Sequence, residues 1–177
     1  MLLDRSIPRL RQLDEIFAGR VHTRYSTIDA LEEEVLSADA VIGAVLIPGA
    51  AAPKLVTRAM LPKMKQGAVL VDVAIDQGGC FETSKPTTHT EPTYVVDGVI
   101  HYCVANMPGA VARTSTMALA GATLPFGLKI ANKGFEQAVK DDAALALGVN
   151  VYRGKLTIPS VATAHNLPYT PLAEVLA

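Results

Sequence analysis

GAVLVDVAIDQGGCFE, residues 67–82, is the stretch from which the rest of this chain is read. It opens on Ala68, Val69, Leu70 and Val71, breaks at Asp72, and resumes with Val73, Ala74 and Ile75. The character then changes at once to Asp76, Gln77, Gly78, Gly79 and Cys80. A β-branched apolar run closed by paired glycines reads as a strand over 68–75 that is buried on both faces. Such strands belong to parallel sheets, whose ligand sites lie at the carboxyl ends of the strands. Asp76 falls at that end. A carboxylate there needs a reason, because burying one unpaired is costly. The glycines beside it let the backbone approach a ligand closely. The plain alternative is a carboxylate that caps a turn.

Working outward, the neighbouring segments alternate. Residues 1–3 are an apolar stub ending in Asp4, read as the end of a strand. Residues 8–17 carry apolar side chains at 10, 13, 16 and 17, which is helical spacing. Pro8 suits the first helical turn and Gly19 a stop. Residues 20–25 alternate as a short strand. Ser26 to Asp29 fit a capping box ahead of a helix with apolar positions 28, 31, 35 and 36. Residues 39–47 form a second buried strand closed by Pro48 and Gly49, and 53–65 hold a helical pattern. Residues 84–93 form a loop, and Asp97-Gly98 turns into a strand over 100–104. This order predicts a parallel sheet covered by helices. After Pro108 the composition shifts, and a boundary is expected near residue 112. An apolar helix over 114–131, bent at Pro125, precedes a second helix over 135–147 and an irregular tail from Val151.

The chain has 177 residues, half of them hydrophobic, and a net charge of -1. That balance gives no electrostatic footprint for nucleic acid. The acidic run at 32–34 reads as a solvated helix face. Cys80 and Cys103 are too few for a disulfide framework, so a reduced, cytoplasmic setting is expected. No apolar stretch is long enough for a membrane span, and MLLDRS lacks the features of a signal peptide. His22, His89, His101 and His165 share no spacing that suggests a metal site.

Three strand ends collect polar residues: Asp4, Asp76 and Asn106. An acidic residue at the end of the second strand of a dinucleotide fold bonds the adenosine ribose. Asp4 has that place if the stub is the second strand; otherwise it caps a turn. Arg5 and Ser6 follow and could accept a 2′-phosphate, so NAD and NADP both stay open. Arg9 is a further cation that could reach a phosphate. Residues 44–49 would lie across a nucleotide through their backbone, and Asn106 could bond a carboxamide with both donor and acceptor. A dinucleotide fold begins about 20 residues before the ribose acid with a strand and a G-x-G-x-x-G turn. No stretch of this chain supplies that turn. The expected fold is therefore α/β, an incomplete Rossmann-like parallel sheet lacking its first strand and glycine turn, followed by a helical carboxyl-terminal segment.

LDRSIPRLRQLDEIF, RVHTRYS, ADAVIGAVLIPGAAAPKLVTRAML, GAVLVDVAIDQGGCFETSKPTTHTEPTY, HYCVANMPGAVARTST and PLAEVLA together carry a likeness that runs nearly end to end. The chain resembles the carboxyl-terminal half of the alanine dehydrogenase family, shared with the proton-translocating transhydrogenase. The transhydrogenases generally have Glu-Gln-Gly-Gly where this chain has Asp76-Gln77-Gly78-Gly79, so the dehydrogenase is the better match. The resemblance implies that Asp4 holds the adenosine ribose and that Ser26 lies near the adenine. It implies that Val45 and Leu46 pass along the cofactor, with Val73 and Val104 on the cofactor side. Asp76 would be the catalytic carboxylate beside the nicotinamide, and Asn106 and Met107 would contact that end.

The implied reaction is reversible NAD-dependent deamination of L-alanine to pyruvate and ammonia. Family members also have an amino-terminal substrate domain supplying an Arg, a Lys and a catalytic His, which has no counterpart in this stretch. Two functions therefore compete. One is a truncated alanine dehydrogenase; the other is a non-catalytic module that binds a nucleotide weakly or only assembles. Weak NAD(H) binding and a homo-oligomer, at least a dimer, are expected.

Overall fold

Two separate sheets carry the strands of residues 1–105 in the computed structural model, which describes residues 1–48 and 50–177. Gly49, expected to close the second buried strand, lies outside the described residues. Strand β1 (Leu2–Asp4) pairs in parallel with β2 (Thr23–Tyr25). A four-stranded sheet has the order β3 (Ala40–Gly43), β4 (Val69–Asp72), β6 (Val99–Tyr102), β5 (Thr93–Val96). In it β3, β4 and β6 run parallel, and β5 is antiparallel to β6. No ladder joins β1 to β3 among the described residues, as expected of a Rossmann-like sheet without the strand between them.

Local chemistry explains the connecting elements. Helix α1 (Ile7–Phe17) starts at Ser6, whose hydroxyl accepts the Arg9 amide at 3.3 Å, with Pro8 in its first turn. It ends on Ala18 in the left-handed region, so the stop falls one residue before Gly19. Helix α2 (Ile28–Ser37) is capped by Thr27, which accepts the Ala30 amide at 3.1 Å. The box expected from Ser26 to Asp29 is thus shifted by one residue. The pattern at 53–65 forms only a 3-10 turn, Arg58–Lys63, with Pro62, which lacks an N–H, inside it. Asp97 and Gly98 both have positive φ, 50° and 81°, which is the turn that β5 and β6 need.

The central strand differs most from its expected form. It is four residues long, and Val73–Gln77 coil into a 3-10 turn instead of extending to 75. The Asp72 carboxylate accepts the Ala74 amide at 3.0 Å and so gives the backbone an alternative to the ladder. Burial is one-sided as well. Leu70, Asp72, Val99 and His101 share one face, as register and alternation require, and none is measurably exposed. On the other face Val69, Val71, Ile100 and Tyr102 are half-buried, and Ile42 is 69% exposed. The covered face packs on Val56, Leu61, Met64 and Phe81, each such side chain contributing roughly 1.5–3 kcal/mol.

The chain divides into two compact units, Met1–Leu46 with Ala52–Ala105, and Ile47–Ala51 with Asn106–Ala177. In the second, α3 (Ala112–Lys133) remains one helix through Pro125 and buries none of its residues. The single helix expected over 135–147 is two, α4 (Phe135–Asp141) and α5 (Ala143–Leu147). Asp142 turns extended between them and caps α5 by accepting the amides of Ala144 and Leu145. The tail is not irregular. It holds a hairpin of β7 (Val151–Tyr152) and β8 (Lys155–Leu156), then α6 (Pro159–His165) and α7 (Leu172–Val175). Two-residue strands carry no periodicity, and the turn uses Arg153 and Gly154, both at positive φ. No helix among the described residues is long and apolar enough to cross a membrane.

Candidate functional site

The polar residues expected at strand ends fall in three places. At the end of β1, one Asp4 carboxylate oxygen accepts the Ser6 amide at 2.7 Å, and the Asp4 carbonyl accepts the Ser26 amide at 3.0 Å. Asp4 therefore does cap a turn, and its other carboxylate oxygen has no partner among the described residues. Ser26 sits directly beside it. Arg5 is exposed with no partner among the described residues. Arg9 donates to the Gln12 side chain at 2.5 Å.

The second place is the excursion between β4 and Phe81. Asp76 stands in the first turn of the 3-10 segment, exposed, with no hydrogen bond or ion pair to any other described residue. Val73 beside it is 49% exposed. Gly78 and Gly79, at φ 85° and 75°, close the segment by returning their amides to the carbonyls of Ile75 and Ala74. Gly79 makes a close approach, but to this chain itself. A Cβ there would lie 2.6 Å from the Asp72 carboxylate and 2.6 Å from Ser84 Cβ. Lys54 holds the turn from outside, donating to the carbonyls of Gly78 and Gly79 at 2.5 and 2.7 Å. The Ala52 amide donates to the Gln77 carbonyl at 2.9 Å. The Gln77 side-chain oxygen is buried and has no partner among the described residues.

Parallel strands put their carboxyl ends on one edge of a sheet. Val45 and Leu46 after β3, the 73–79 excursion after β4 and Val104 after β6 all follow such ends. Val45 is half-buried against the core, Leu46 is 69% exposed, and the Val104 side chain is fully buried. Asn106 and Met107 open the longer stretch of the second unit, Asn106–Ala177. Asn106 is left-handed at φ 59° and opens a short 3-10 turn through Pro108.

The buried carboxylate in this region is Asp72, not Asp76. Asp72 is completely buried and surrounded by donors: the amides of Ala74, Cys80 and Phe81 at 3.0, 2.9 and 3.4 Å, the Cys80 thiol at 3.5 Å, and the Ser84 hydroxyl. Burial and the Asp72 charge push the Cys80 thiol up to about 12. Nearby, His101 accepts from Thr83 at 2.7 Å through Nε2 and donates from Nδ1 to the Val99 carbonyl at 3.0 Å. A carbonyl only accepts, which sets this tautomer. Burial lowers the His101 pKa. Tyr94 stacks on the His101 ring at 4.9 Å and hydrogen-bonds the Thr83 carbonyl, while burial raises its pKa. Sequence pattern did not single out Asp72 or Lys54. The one signal for Asp72 was its place as a lone charge inside an apolar run.

Known proteins match this arrangement. The description "Alanine dehydrogenase/PNT, C-terminal domain" fits residues 1–159. An alanine dehydrogenase of Halomonas elongata is 65% identical over 99% of this chain and 47% of its own length. One from Mycolicibacterium smegmatis is 57% identical with the same shares covered. The chain thus spans about half the length of these relatives. A solved L-alanine dehydrogenase superposes with a TM-score of 0.80 at 48% identity, covering 93% of this chain and 45% of the other. A transhydrogenase from Sinorhizobium meliloti superposes at 0.55 with 30% identity, over 65% of this chain and 32% of its own. This chain belongs to the alanine dehydrogenase/PNT family and matches its C-terminal domain.

Proposed function

We propose that residues 1–112 supply the nicotinamide-nucleotide half of an alanine dehydrogenase-type oxidoreductase, and residues 113–177 the return of the chain toward the part that holds substrate. In the proposed reaction L-alanine, NAD⁺ and water give reversibly pyruvate, ammonium, NADH and a proton. The observation that carries this reading is Asp76, an exposed and unpaired carboxylate just beyond a parallel strand. It stands in a chain 65% identical to an alanine dehydrogenase.

When bound, NAD supplies the acceptor for the hydride that leaves the alanine Cα. Asp76 takes the proton from the water that adds to the resulting imine, and returns one as ammonia departs. The free Asp4 oxygen receives a ribose hydroxyl, with Ser26 beside the adenine. Val45, Leu46 and Val73 border the cofactor, Val104 supports that edge from inside the core, and Asn106 and Met107 meet the nicotinamide end. Arg5 is the cation free for a phosphate, and a 2′-phosphate there would favour NADP. The donor set fits the ribose and nicotinamide ends but not the pyrophosphate, for which this stretch holds no glycine turn. Hydrogen bonds to a charged group are worth about 1.5–3 kcal/mol each. Forgoing two weakens binding by about 3–6 kcal/mol, roughly two to four powers of ten in Kd.

A titration of this chain with NADH and NADPH, followed by a pyruvate-plus-ammonia assay, tests the reading. Binding that does not saturate at tens of micromolar but responds to Asp76→Asn supports it. The absence of any nucleotide-dependent signal up to millimolar concentrations overturns it. One observation favours a second reading, a module that acts by assembling. The open sheet face with Ile42, and α3 with no buried residue, are apolar surfaces of the kind that seek cover. On either reading the chain forms at least a homodimer. A monomeric mass by light scattering at micromolar concentration overturns that part.

A further inference from the structure

The geometry points to Asp72 as the positioning residue of this site: one buried carboxylate ties both ends of the excursion that carries Asp76. The inference rests on reading Asp76 as the reacting carboxylate. The excursion leaves β4 at Val73 and rejoins the core at Cys80 and Phe81. Its first amide inside the turn, Ala74, bonds one Asp72 oxygen at 3.0 Å. Its last, Cys80 and Phe81, bond the other at 2.9 and 3.4 Å, and the Ser84 hydroxyl joins them. Residues 73–79 are thus a loop pinned at its neck, with Asp76 near its crest.

The neck admits little variation. A carboxylate is acceptor-only, and every group facing Asp72 is a donor. Gly79 has no room for a Cβ beside it. Asparagine at this position keeps the shape but turns its NH₂ toward at least one N–H, so one end of the loop is released. The Asp76 side chain makes no hydrogen bond or ion pair of its own among the described residues. Its position is inherited from the neck, with Lys54 and the Ala52 amide bracing the backbone of residues 77–79 from outside.

The test uses the full 177-residue chain as the parent and as Asp72→Asn and Ser84→Ala. Amide hydrogen exchange is read at residues 74, 80 and 81 against Leu70 and Ile100, and the Asp76 carboxyl carbon is followed by NMR. In Asp72→Asn, protection at 74, 80 and 81 falls about tenfold or more while Leu70 and Ile100 keep theirs, and the Asp76 resonance shifts or broadens. Ser84→Ala, which removes one donor and leaves the carboxylate, gives a smaller change in the same amides. Uniform loss across the sheet, or an unmoved Asp76 resonance, overturns the inference. If Asp72→Asn does not fold, Ser84→Ala decides by the same two readouts. Neither readout needs nucleotide or turnover, so a failure of the proposed reaction leaves a different signature: a loosened loop in the variant and no NADH response in the parent.

Discussion

Gly43→Ala is the sharpest probe of the packing behind the site. Gly43 lies opposite Asp72 in the β3–β4 register. A Cβ built on it would stand 2.2 Å from the Cys80 sulfur and 2.8 and 2.9 Å from two Phe81 ring carbons. Ordinary contact begins near 3.4 Å, so the neighbours must yield. They have little freedom to do so: Cys80 is fully buried and Phe81 is 1% exposed. Backbone strain plays no part, since Gly43 is not among the positive-φ residues. Overpacking of this kind costs about 1–3 kcal/mol. At about 2–4 °C per kcal/mol for a chain of this size, Tm falls by about 2–12 °C. The shortest contact is to sulfur, so Cys80→Ala should relieve part of the clash. Thermal unfolding of the two single variants and the double variant gives the coupling directly, and about 0.5–3 kcal/mol is expected between touching residues. A Gly43→Ala stability within about 0.5 kcal/mol of the parent refutes the reasoning. So does a cost that is the same with and without Cys80.

Asp76→Asn is expected to leave stability within the surface-substitution range of about 0.5 kcal/mol, because Asp76 is exposed and has no hydrogen bond or ion pair among the described residues. A loss matching Leu70→Ala, about 2–5 kcal/mol, would make it structural. His101 is held below its ordinary value of 6.5 by burial. The folded chain then binds fewer protons than the unfolded one just below that pH. The stability it contributes is complete above about 6.5 and is lost as pH falls toward the lower folded value. His101→Gln should flatten that acid limb, and a parent-to-variant difference in denaturant midpoint that is the same at pH 7 and pH 5 would count against it. Cys80, with its thiol pushed up to about 12, should resist iodoacetamide at pH 8 until the chain unfolds; rapid labelling seen by mass spectrometry in the folded chain would contradict this burial.

Much of the architecture is legible in residues 67–82 and their neighbours because alternation and turn chemistry are local. The run 68–71, the pair Asp97-Gly98, Pro8 in the first turn of α1, and the cap of α2 within one position each encode structure over a few residues. The likeness to the alanine dehydrogenase/PNT family is likewise written in contiguous motifs. What tertiary structure alone decided is which carboxylate is inside. Asp72 and Asp76 are four residues apart, and strand pattern alone marks Asp76 as the costly one. The fold buries Asp72 because donors from Ala74, Cys80, Phe81 and Ser84, spread over a dozen positions, converge on it, and it leaves Asp76 exposed and unpaired. Sequence could not reveal this, since a hydrogen-bonded charge and a surface charge are the same letter. The one-sided burial of β4 was hidden for a related reason. An apolar residue states that it prefers cover; only the assembled chain decides whether cover is there.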